Sequence, residues 1–313
     1  MEGYNAEQNK KSGSCLSREI PIALAISLFL IGGELLTVGK ESASDAYSSA
    51  VAFLVAILFL GAASPAARMI FCVPDIRRTE SVAHRISLVV FGIFAVAASV
   101  YVALDTARDF SEFAVNVMLL RAPRLPVSLL FLGFCTYLAS RGAETVKKYA
   151  FLSAVGVGAC AVLLILLSLP VLDLDNFRFG GGTPDVERSV GAFVSKFAPI
   201  CVALVFFGCE WGASGTQRAA RLSPRAAVIG LLVGGAILTV CHFNVALLLG
   251  GALAREQTYP YSVAVSAVST GKLFMRTEGL SYVMYFLSMT TRAALAIGTV
   301  IAVLKKLLPL KIH

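Results

Sequence analysis

The chain has 313 residues, 57% of them hydrophobic and only 15% charged, with a mean hydropathy of +0.79. Globular chains carry about a quarter charged residues, so this composition excludes a disordered chain, a secreted disulfide scaffold and a cytosolic enzyme. It predicts an all-α integral membrane protein. The net charge of +8 needs no nucleic acid to explain it, because the inner loops of helical membrane proteins are basic.

Residues 1–19 read as a polar cytoplasmic tail, and residues 20–308 as a single polytopic domain. A helix that crosses the hydrocarbon takes about 20 apolar residues. Eight stretches fit: 20–38, 46–63, 86–104, 125–140, 149–172, 197–215, 226–254 and 279–304. After the third, residues 105–124 carry Asp105, Arg108, Asp109 and Glu112 and end at Pro123. That pattern predicts a helix extension turning at the outer surface. Residues 173–196 contain Gly180-Gly181-Gly182 and read as an exposed outer connection. Residues 258–275, interrupted by Pro260 and Gly271, predict a short helix along the interface.

An even number of crossings puts both termini on one side. The segments on that side carry sixteen Lys and Arg against six acids, and the opposite side ten against eleven. The excess of basic residues places both ends in the cytoplasm.

Seven cysteines form no CxxC pair, and His84, His242 and His313 are widely separated, so neither a metal site nor any other cofactor is expected. The informative residues are charges inside apolar runs, each costing about 2.5–3.5 kcal/mol at mid-bilayer on insertion scales. Gly32-Gly33-Glu34 in the first span and Gly208-Cys209-Glu210 in the sixth both read Gly-x-Glu. Such a pair fits an inverted repeat whose first and sixth helices break near the midplane around a ligand. It equally fits glycines used for close packing, with each Glu meeting an Arg. Arg292, near the centre of the eighth span, is expected to meet Glu34 or Glu210, either as a buried ion pair or in an ion path.

Four stretches resemble the endospore germination permease family, the B-type subunit of nutrient germinant receptors within the amino acid–polyamine–organocation superfamily. They are IGGELLTVG at 31–39; Asp105 to Pro123, with Arg108, Glu112 and LLRAP; LLSLPVLDLDNFR at 166–178; and FFGCEW at 206–211 followed by TYPYS…GKLFMRTEGL over 258–280.

The resemblance implies a LeuT-like inverted-repeat helical bundle with helices 1 and 6 unwound around a nutrient site. It also implies A-type and lipoprotein C-type partner subunits in the spore inner membrane. By position, Gly32 matches a glycine that contacts the germinant, and Val102, Phe207 and Thr291 match pocket residues. The candidate ligand set is therefore Gly32, Gly33, Glu34, Val102, Phe207, Gly208, Glu210 and Thr291, with Arg292, Arg108 and Glu112 as ion-pair or gating residues. The family has ten helices, so about eight here reads as a truncated form. Glu34 stands where a second glycine is usual and Gly39 where a proline is. The expected function is a sensing subunit for a small, amino-acid-like nutrient; a stand-alone amino-acid permease is the alternative, and a ligand-free scaffold a third reading.

Overall fold

The computed structural model describes residues 19–35, 38, 82–119, 122–172, 199–207, 224–268 and 277–307. Within them all regular structure is helical: α1 (19–34), α2 (Val82–Phe113), α3 (Arg124–Ser140), α4 (Ala143–Ser168), α5 (199–207), α6 (Pro224–Glu256), α7 (Pro260–Ala267) and α8 (Glu278–Leu307). The stretch 46–63 lies outside the described residues. Among the described residues four segments are long and apolar enough to cross a membrane: Val89–Met118, Ala143–Val171, Ala226–Gly250 and Glu278–Lys305. Phe94, Leu130 and Leu152 are 71%, 76% and 71% exposed on α2, α3 and α4, an apolar outer surface suited to lipid rather than water. The chain is a multi-pass membrane protein.

Local chemistry sets the helix ends. α2 runs on past residue 104 to Phe113, loosens into one π turn over Ala114–Met118 and stops before Pro123, which precedes α3. The chain reverses between α3 and α4 through Arg141 and Gly142 alone, and Gly142 at φ 95° holds a conformation that a side chain would strain. Gly250, at φ 71° and ψ 157°, kinks α6 for the same reason. Within 258–275, residues Pro260–Ala267 form the short helix α7.

The hub of the bundle is α8. It packs most extensively against α2, then α4 and α3, and many of its buried residues are small or hydroxylic, among them Ser288, Thr291, Ala293, Ala294, Ala296 and Thr299. Small residues let helix backbones approach, which matters where no hydrophobic effect drives helices together. The Thr299 hydroxyl donates to the Val202 carbonyl of α5 at 3.1 Å, and Gly298 lies under the Phe206 ring. On α6, Gly230 and Gly234 form a G-x-x-x-G face. A Cβ on Gly230 would strike the Ala23 carbonyl of α1, and one on Gly234 would lie 3.0 Å from Ser27 Cα.

Candidate functional site

Helix α1 does not break at its glycines. It is helical through Glu34, the Leu35 amide donates to the Ile31 carbonyl at 2.9 Å, and the Val38 amide donates to the Glu34 carbonyl at 3.1 Å. The glycines themselves are helical, and α1 ends at Leu35, within the stretch 31–39 that resembles the family's first-helix break. The reason for the glycines lies in α8. A Cβ on Gly32 would sit 2.7 Å from the Ser288 carbonyl oxygen and 3.1 Å from the Met289 nitrogen, and one on Gly33 would collide with the Arg292 guanidinium. The two glycines thus make room, one for a backbone and one for a cation.

Glu34 and Arg292 line one small cleft, together with Phe29, Leu30 and Gly33 of α1 and Pro199 and Ile200 at the start of α5. Its volume is about 30 Å³, room for water but not for a larger solute. The Arg292 guanidinium carbon sits 5.5 Å above the centre of the Phe29 ring, a cation–π contact that offsets part of the charge's desolvation. Arg292 lies midway along α8, and its Nε is buried with no acceptor among the described residues. Glu34 is the carboxylate whose field acts most strongly on Arg292, followed by Asp105 and Asp109 of α2. Burial of the guanidinium is thus opposed by the fields of carboxylates on two other helices.

Of the residues singled out from sequence, Gly33, Glu34 and Arg292 come together at the cleft. Gly32, Val102, Phe207 and Thr291 are buried in the core and are not among its walls. The Thr291 hydroxyl donates to the Leu287 carbonyl at 2.9 Å, and Phe207 packs edge-on against Phe206 with ring centres 5.2 Å apart. Gly208 and Glu210 lie outside the described residues.

Arg108 and Glu112 form an i,i+4 pair at 3.3 Å, and Glu112 also meets Arg124 of α3 at 3.6 Å. This surface clamp ties the end of α2 to the start of α3. Asp105 and Asp109 were read from sequence only as part of the outer extension. Their spacing of four places them on one helix face, and that was the available signal for a shared partner. No three His, Cys, Asp or Glu side chains among the described residues converge as a metal site.

A profile of the spore permease family, described as spore germination protein, matches residues 25–313. The chain belongs to the spore germination permease family. The match takes in every residue that lines the cleft, and the family is of permease and germination type rather than an enzyme family. No curated protein matches the chain.

Proposed function

We propose that this chain is the nutrient-sensing membrane subunit of a spore germination receptor and that an amino-acid-like germinant is received between α1, α5 and α8. Membership of the germination permease family supports the setting. The observation that carries the ligand class is the opposition of Glu34 and Arg292 across one cleft. A zwitterion presents an amine that suits Glu34 and a carboxylate that suits a guanidinium with a spare buried donor.

A cleft of about 30 Å³ cannot hold an amino acid closed, so reception requires α1 or α5 to move from α8. That movement is the signal, because a ligand shifts a conformational equilibrium by its differential affinity for the two states. In this reading A-type and lipoprotein C-type subunits read the movement in the spore inner membrane. The fold is a LeuT-like bundle of about eight spans with both termini in the cytoplasm.

Spores lacking the chain test the reading. They should lose germination on at least one amino acid, wild-type chain should restore it, and chain carrying Glu34→Gln should not. Normal germination of the deletion strain on every nutrient would refute the proposal. Uptake of amino acid by the purified chain alone in proteoliposomes would replace sensing with transport.

A further inference from the structure

We infer that Arg108 of α2 and Arg124 of α3 bind the phosphate of one anionic phospholipid at the seam between these helices. A single acid brings the two cations together. Arg108 Nε and Arg124 Nη1 lie 3.3 and 3.6 Å from the same oxygen, Oε1 of Glu112. Among the described residues Glu112 is the only carboxylate within ion-pair distance of either arginine, so the cluster keeps an excess of positive charge. Each guanidinium offers a planar fork of N–H donors. Among the described residues only the Arg108 Nε–H is used in a hydrogen bond, to Glu112. Both side chains are largely exposed, and their remaining donors are open to a further acceptor.

The surface around the pair is apolar. On α2, Tyr101 and Leu104 lie on the same helix face as Arg108, and both are exposed. On α3, Leu125 follows Arg124 directly and Leu129 lies one turn further on, and both are exposed as well. Two apolar outer stripes thus each end in an arginine, and both arginines reach the same carboxylate. A long cationic side chain at the end of such a stripe carries its charge out of the hydrocarbon to the level of the headgroups. Phosphate is the anion found there, and the guanidinium fork matches its oxygens two at a time.

A soluble phosphate fits less well, because it would use the arginines and leave Leu104, Leu125 and Leu129 bare. The acyl chains of a lipid cover them. A zwitterionic lipid also fits less well: phosphatidylcholine brings its own cation beside the phosphate, whereas phosphatidylglycerol brings none. The site shares no residue with the cleft at Glu34 and Arg292, so it is independent of what that cleft receives.

The test is equilibrium binding of phosphatidylglycerol and of phosphatidylcholine to the full chain in detergent, read by native mass spectrometry. An arginine at a lipid surface contributes about fivefold in affinity for an anionic headgroup. Wild-type chain should therefore prefer phosphatidylglycerol by about 25-fold, and Arg108→Gln and Arg124→Gln should each lose about fivefold of that preference. Exposed ion pairs contribute little to folding, so both variants should keep the wild-type thermal midpoint. Arg141→Gln is the control: Arg141 is also exposed and packs on Tyr137 at the other end of α3, and its loss should leave the preference unchanged. Equal binding of the two lipids by wild-type chain would overturn the inference, as would a loss in Arg141→Gln as large as in Arg108→Gln. Displacement of the bound lipid by millimolar inorganic phosphate would also overturn it, by assigning the pair to a soluble anion.

Discussion

The Tyr285 hydroxyl donates to the Leu35 carbonyl at 3.2 Å, joining fully buried positions 250 residues apart in the chain. Leu35 is the residue at which α1 leaves helical conformation, and a terminal carbonyl in an apolar interior must find a donor. The bond therefore ties the end of α1 to the hub helix, one residue beyond the cleft residue Glu34. Tyr285→Phe keeps the ring contact with Phe113 but leaves that carbonyl without its donor. We predict a loss of about 1–3 kcal/mol, read as a lower thermal midpoint. An unchanged midpoint would show that the carbonyl is satisfied otherwise.

Gly32 and Gly133 provide a matched pair. A Cβ at Gly32 meets the backbone of Ser288, whereas one at Gly133 meets nothing within 4 Å. Gly32→Ala is expected to cost about 1–3 kcal/mol by forcing α1 from α8. Gly133→Ala should be neutral or stabilise by about 0.5–1 kcal/mol. Equal effects at the two positions would mean that α1 and α8 are not in backbone contact.

The charge constellation makes a third prediction. Arg292→Met removes the cation from among Glu34, Asp105 and Asp109 and should destabilise by more than about 0–1 kcal/mol, the worth of an exposed pair, because it leaves their charges uncompensated in an apolar setting. Adding Glu34→Gln should recover part of that loss. Additive losses in the double variant, measured by thermal or denaturant unfolding, would show that the two groups do not interact.

Arg108, Glu112 and Arg124 should behave differently. Their side chains are 76%, 34% and 60% exposed, and solvent-exposed ion pairs are worth about 0–1 kcal/mol. Glu112→Gln should therefore leave the unfolding midpoint within about 2–4 °C of wild type. A loss as large as that of Arg292→Met would assign the clamp a place in the core network.

Hydropathy made the helices legible. The run at 125–140 lies within α3, and Arg292 could be expected to seek Glu34 or Glu210 because charges inside apolar stretches are few and must find partners. Glycine serves both helix breaks and close packing, so the two glycines before Glu34 left both readings open, and the packing role of Gly32 shows only in the Ser288 backbone of the neighbouring helix. Asp105 and Asp109 were placed on an outer extension because nothing local shows which face of α2 turns to α8; that is a property of docking. The kink at Gly250 was hidden inside an apolar run of ordinary helical character.

The most direct test of the central claim is the thermal midpoint of the purified chain over a panel of amino acids, nucleosides and sugars, repeated with Arg292→Lys. A ligand at a hundred times its Kd stabilises by about 2.7 kcal/mol. The account predicts that one or more amino acids raise the midpoint of the wild-type chain and that the shift largely disappears in Arg292→Lys, which lacks the planar guanidinium fork. An amino-acid shift of the same size in both proteins, or stabilisation by sugars or nucleosides alone, would contradict it.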